Sequence, residues 1–308
     1  MFKSRVMIKK TLYFGNPSYL HLKDSQLMVK DPESDSPDQS IKAKIPIEDI
    51  GLVVLDHQRI SITQTLMLRL LENNAAVILC NDSHLPVSLT LPIAYNDTFS
   101  EKVRIQLQAS EPLKKQLWRQ TIMAKINNQA GVLKALGLES TTIGKLASRV
   151  KSGDPDNLEG QAASIYWETL LDKYNVTRGR FDGPPNQFFN YGYAILRAII
   201  ARNLVGSGCL TVLGIHHKNK YNPYCLADDI MEPYRPLVDL MIFKYLSRSA
   251  SLEETLSKED KAHLLQIPVM DVKIDGKSSP LMVGSQRTSA SLIRCFEGTE
   301  RKILYPTL

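Results

Sequence analysis

The spacing of apolar residues changes near Pro92, and that change limits the chain to two kinds of structure in succession. Before it, short apolar runs alternate with turn residues, the pattern of strands. Leu20 and Leu22 alternate with polar neighbours, Lys23-Asp24-Ser25 turns the chain, and Gln26 to Val29 returns it. Ile45 to Ile47, Leu52 to Leu55 and Ala75 to Cys80 are further strands. A helix is predicted over Thr63 to Glu72, with Leu66 and Leu70 on one face and Asn73-Asn74 as its stop. Past Pro92 helical spacing takes over, through Leu113, Leu117 and Ile122, Glu159 to Asp172, Asn186 to Leu204, and Ile230 to Leu246. The expectation is an α+β protein: a small β-rich domain over 1–92, a linker over 93–99, and a larger, mainly helical domain over 100–308. Two polar loops, Asp31 to Ser40 and Ser247 to Asp260, have no assigned role.

A core of ordinary size is affordable at 308 residues and 43% hydrophobic content. No apolar run reaches membrane-span length, and the basic N-terminus lacks the apolar stretch of a secretory signal, so the expected location is the cytoplasm. Cys80, Cys209, Cys225 and Cys295 are widely spaced, which points to reduced thiols and not to a zinc site or disulfide framework. The formal charge of +6 is concentrated: between Glu101 and Lys151 ten Lys/Arg face three acids. Such a region suits a polyanion such as nucleic acid, or is simply a solvated helix surface.

Chemistry is suggested where charge interrupts apolar sequence, because a buried charge must be compensated. Asp154-Pro155 opens a helix on which Glu159 shares a face with Ala163, Tyr166 and Leu170. Glu159 is then an ion-paired carboxylate, a metal ligand or a general base. His217 ends an apolar run, Cys209 to Ile215, and opens a polar loop, with His216 expected to point the other way. It is either a structural histidine or a ligand. In Asp228-Asp229-Ile230-Met231-Glu232, Asp228 is expected to cap a helix, while Asp229 and Glu232 share a face. Pro233 starts or kinks the helix, and Arg235 either neutralises Glu232 or reaches a phosphate. Two carboxylates and an imidazole beside a basic region suit metal-assisted phosphoryl transfer, with Mg2+ or Mn2+ as the ion. Markers of nucleotide hydrolysis, dinucleotide binding and zinc proteolysis are missing from the sequence.

The segments MIKKTLYFGNPSYLHLKDSQLMVK, LEGQAASIYW and GIHHKNKYNPYCLADDIMEPYRPLVD resemble the CRISPR-associated protein one family, above all its type II form. The resemblance implies an N-terminal β-sandwich used for dimerisation or partner contact, followed by a helical catalytic domain. It implies a homodimer that assembles with CRISPR-associated protein two on DNA, the protospacer and the CRISPR repeat. It carries the metal ligands to Glu159, His217 and Glu232, the last an Asp in some relatives, with Asp229 in support. The implied reaction is transesterification, a protospacer 3′-hydroxyl attacking a repeat phosphodiester, with hydrolysis when water replaces the hydroxyl. Lys218, Arg235, Arg178 and Arg180 are candidate phosphate contacts on charge and nearness in sequence. A non-catalytic DNA-bridging scaffold and a general metal-dependent nuclease are the competing readings.

Overall fold

The computed structural model describes residues 9–33, 41–93, 95–174, 185–248 and 255–308. Arg178 and Arg180, and parts of both polar loops, lie outside the described residues. The chain divides into two compact units, Met1–Asp97 and Thr98–Leu308.

The first unit contains β1 (Lys10–Phe14), β2 (Ser18–Lys23), β3 (Gln26–Lys30), β4 (Ile41–Pro46), β5 (Ile50–Leu55), β6 (Ile60–Ile62), α1 (Gln64–Glu72), β7 (Ala76–Cys80) and β8 (Pro86–Thr90). They form two four-stranded sheets, ordered β1-β5-β7-β8 and β4-β3-β2-β6. Strand β5 is buried along its whole length, as expected of an unbroken apolar run pairing in parallel on both sides. Asp24 and Ser25 both take positive φ and close the β2–β3 hairpin, as the turn residues predict. Leu20, Leu27 and Val29 of one sheet, Val53 and Val77 of the other, and Leu66 and Leu70 of α1 share one core. Thr63 caps α1 by accepting from the Leu66 amide, and Asn74, at φ 54°, ends it.

The second unit contains α2 (Phe99–Gln108), α3 (Glu111–Ala135), α4 (Thr141–Ala147), α5 (Leu158–Tyr174), α6 (Asn186–Gly206), α7 (Cys225–Met231), α8 (Arg235–Leu246), α9 (Lys258–Leu264), β9 (Asp271–Ile274), β10 (Lys277–Pro280), α10 (Leu281–Phe296) and β11 (Pro306–Thr307). Helix α6 is buried nearly all round and packs against α7, α8 and α10. Helix α3 packs against α4, α5 and α8. The single helix expected over Ile230 to Leu246 is three pieces: α7, a 3-10 turn at Glu232–Tyr234, and α8. Pro233 lacks the amide that a continuous helix would need there. Among the described residues no helix is long and apolar enough to cross a membrane. Cys209, Cys225 and Cys295 are buried free thiols, and Cys80 is partly exposed.

Candidate active site

Glu159 enters the site from the first turn of α5. Helix α5 begins at Leu158 and not at Pro155, because Asp154 turns at φ 50° and its carboxylate reaches forward. Asp154 Oδ1 accepts from the Leu158 amide and Oδ2 from the Glu159 amide, both at 2.9 Å. The buried stripe of α5 is Leu158, Ala162, Tyr166 and Leu170. Glu159 lies at the edge of that stripe, one quarter exposed, so it faces the site while keeping contact with solvent.

Glu232 enters from the 3-10 turn and is almost fully buried. Asn128 of α3 holds this turn by donating to the Pro233 carbonyl at 2.7 Å and to the Pro306 carbonyl at 3.0 Å. Glu159 and Glu232 meet at Lys125 of α3, whose Nζ lies 2.7 Å from Glu159 Oε1 and 2.6 Å from Glu232 Oε2. The first contact is a hydrogen bond. The second is a close ion pair between the ammonium and an oxygen of the almost fully buried Glu232. Arg235 Nε lies 3.0 Å from Glu232 Oε1, and its guanidinium covers the Tyr193 ring. Burial alone would raise the Glu232 carboxyl, but Arg235 and Lys125 outweigh it and hold the pKa at about 2. Arg235 is thus committed to Glu232 here, the first of the two roles its sequence allowed.

His217 enters from the loop after α6, and Asp229 of α7 organises that loop. Asp229 is fully buried; its Oδ2 accepts from the Ile215 and His216 amides at 2.7 and 3.0 Å. Its Oδ1 accepts from the His217 amide at 3.2 Å and stands 2.5 Å from His217 Nδ1. Asp229 therefore sets both the backbone and the ring of His217. The Cys209 to Ile215 run is not a regular element. Gln106 pins it as a loop, donating to the Leu210 and Leu213 carbonyls and accepting from the Leu210 amide. His216 does not point away from its neighbour: its ring stacks on Trp118 at 4.1 Å, and His217 meets the same indole edge-on at 5.7 Å. Asp228 is no cap either, since α7 starts earlier, at Cys225. Its carboxylate pairs with Arg197 Nε at 2.7 Å and accepts from Asn222 Nδ2 at 2.7 Å.

Gly214 is required by this packing. A Cβ there would stand 2.4 Å from the His217 carbonyl oxygen and 2.8 Å from Asp229 Oδ2. Gly214→Ala is expected to cost about 1–3 kcal/mol through backbone displacement, measured as a lower melting temperature. An unchanged melt would show that the loop has room to give.

The hydrogen bond from His217 to Asp229 raises the imidazole pKa above its usual value near 6.5. A group raised on folding stabilises the fold below its unfolded pKa and loses that contribution as pH climbs through its folded pKa. The stability gap between the wild type and His217→Gln should therefore be widest near about pH 6 and shrink as pH rises. Denaturant melts across this range check it; a gap independent of pH would remove His217 as the titrating group.

Two carboxylate oxygens, one of them on the almost fully buried Glu232, already converge on one cationic atom. Hard oxygen donors with an adjacent imidazole fit Mg2+ or Mn2+. Among the described residues, however, no three His, Cys, Asp or Glu side chains stand ready as a complete ligand set. Lys125 fills the space between the carboxylates, and His217 is turned to Asp229. Beside His217 opens a cleft of about 320 Å³, lined by Gln106, Lys114, Gly214 and Lys218 among others. Lys218 is largely exposed, 3.6 Å from Glu111.

Comparison with known proteins decides the family. The sequence model described as CRISPR associated protein Cas1 matches residues 12–271. The chain belongs to the Cas1 family. A Cas1 relative from Neisseria meningitidis serogroup C (strain 8013), named as a CRISPR-associated endonuclease, is 35% identical over 272 residues, covering 87% of this chain and 86% of its own. A casposase bound to its integration product superposes with a TM-score of 0.77 at 19% identity, over 96% of this chain and 92% of its own. A chain of a Cas6-RT-Cas1–Cas2 complex gives 0.72 at 20% identity, over 97% of this chain and 36% of that one. In this Cas1 protein Lys125 and Asn128 adjoin the candidate site and lie outside the motifs, while Gly214 opens the GIHH segment and the structure adds its packing role. Lys125 had a signal: it falls in register with Trp118, Thr121, Ile122, Asn128 and Gln129 on the buried face of α3.

Proposed function

We propose that this Cas1 protein is a metal-dependent DNA integrase and endonuclease of CRISPR adaptation, acting at Glu159, His217 and Glu232. The observation that carries this reading is the convergence of Glu159 and Glu232 on one cation beside His217. A bound Mg2+ or Mn2+ would withdraw charge from the scissile phosphate and acidify the attacking hydroxyl or water. Glu159 and Glu232 would supply its oxygen donors. Asp229, as acceptor, keeps the proton of the neutral imidazole on Nδ1, which leaves a lone pair on Nε2 of His217. Arg235 holds Glu232 ionised. In the reaction a 3′-oxygen of one DNA strand bonds to phosphorus of a second, and the bond from phosphorus to the second strand's own 3′-oxygen breaks. Water in place of the attacking hydroxyl gives cleavage alone.

Lys218, exposed at the mouth of the cleft, suits contact with the DNA backbone, as do exposed Arg104, Lys115, Lys134, Lys145, Arg149 and Lys151 of the basic region. The Cas2 protein named in the neighbouring complex, and a second copy of this chain, are the proposed partners, with the β-rich unit as their contact.

The test is a strand-transfer assay. A labelled duplex with free 3′-hydroxyls, a supercoiled repeat plasmid and the Cas2 partner are incubated with the protein, with Mn2+ or with chelator. Label joined to plasmid only with metal is the expected result; shortened but unjoined DNA would make the protein a general nuclease. One observation favours the scaffold reading: both site carboxylates are ion-paired in this structure. Salt-sensitive DNA bridging that proceeds equally in chelator, with no joined product, would establish the scaffold and sink the integrase.

A further inference from the structure

Phosphoryl transfer does not explain Lys125. It belongs to the long helix α3, on the face that buries Trp118, Ile122 and Ile126. A lysine there would ordinarily run its stem outward to water. This one stays in, its side chain 12% exposed, with its ammonium between two carboxylates from two different elements. Asn128, one turn further along α3, clamps the Pro233 carbonyl, so Lys125 and Glu232 are held against each other by backbone as well as by charge.

Resting on the metal-site reading above, we propose that Lys125 is a built-in counter-cation that occupies the ion's place in the metal-free protein and must leave for the ion to enter. With Arg235 on Glu232 Oε1 and Lys125 on Oε2, the two carboxylates are already matched by two cations. A divalent ion added beside the ammonium would meet like charge at contact distance in a poorly solvated place, which is strongly unfavourable. One cation has to give way. Arg235 is anchored by its planar guanidinium over the Tyr193 ring, whereas the ammonium of Lys125 is a point charge on a flexible four-carbon stem. Metal loading is then an exchange. The ammonium keeps Glu159 and Glu232 converged while the site is empty of metal and lowers the apparent affinity for the ion that replaces it.

Lys125→Met keeps the apolar stem and removes the charge, and it moves two properties in opposite directions. Mn2+ binding, followed as loss of the free-ion EPR signal, is expected to tighten about tenfold, a typical coupling between competing sites. The metal-free melting temperature is expected to fall by about 5 °C, and the rise on adding Mn2+ to exceed that of the wild type. Lys258→Met, the same charge change at an exposed residue of α9, leaves affinity within about twofold. Should Lys125→Met fold poorly, Lys125→Gln, whose amide still donates to a carboxylate, carries the same expectation of tighter binding.

Equal or weaker Mn2+ binding in the Lys125 variants overturns the proposal. The metal-site reading fails separately, if wild-type Mn2+ binding survives Glu159→Gln. No Mn2+ binding by wild type or Lys125 variants overturns both.

Discussion

Glu159→Gln abolishes strand transfer, by about 10³-fold or more, and leaves the protein folded. The second half of that expectation follows from where Glu159 sits. It is at the edge of the buried stripe of α5, one quarter exposed, and its backbone amide is held by Asp154 whatever the side chain. The amide of Gln has the same shape and can still accept from Lys125 through its oxygen. Lys125 also retains Glu232 as a partner, so no buried charge is stranded. What is lost is the formal negative charge and one anionic donor for a hard ion. On the proposed metal-dependent reaction, catalysis would feel that loss because the ion that stabilises the charge developing on phosphate would be held less well. The melting temperature is expected to move by no more than about 2 °C. Strand transfer within tenfold of wild type would remove Glu159 from the ligand set. A large drop in melting temperature would instead make it a structural ion-pair member.

The two-part architecture was legible because the period of apolar residues changes from two to about 3.6 near Pro92. The β2–β3 hairpin and α1 were legible for a local reason: Asp24-Ser25, Thr63 and Asn73-Asn74 make their own turns and caps. Strands β1, β6 and β8 were not, being short and mixed in character, and neither were β9, β10 and β11, of two to four residues each. Such strands exist because a neighbour pairs with them, a tertiary fact. The site divides the same way. Glu159, His217 and Glu232 interrupt apolar sequence and could be named. The loop that carries His217 is not legible, since the Cys209 to Ile215 run has the apolar character of a buried element. Its backbone is satisfied by Gln106, more than a hundred residues away in sequence. Lys125 falls among the ten Lys/Arg of the basic region, and net charge along a segment says nothing about which face each charge takes.

Asp229→Ala is expected to cost about 3–5 kcal/mol and to lower the melting temperature by about 10 °C. Among the described residues of the site no other side chain accepts from as many backbone amides. Its two oxygens accept from the amides of Ile215, His216 and His217 and face the His217 ring. Removing them leaves three amide donors without that acceptor, the Ile215 amide in a buried bond, and each such loss costs about 1–3 kcal/mol, though not additively. Asp229→Asn separates support from ligation. It keeps an acceptor oxygen but turns an NH2 group toward backbone donors, so the loop loosens without emptying. An orienting residue one step removed from the metal predicts Mn2+ affinity weakened about 10–100-fold, with residual strand transfer recovered at high Mn2+. A direct ligand predicts no recovery, as for Glu159→Gln. If Asp229→Asn binds Mn2+ as the wild type does, the His217 ring is oriented by its contact with Trp118 and not by Asp229.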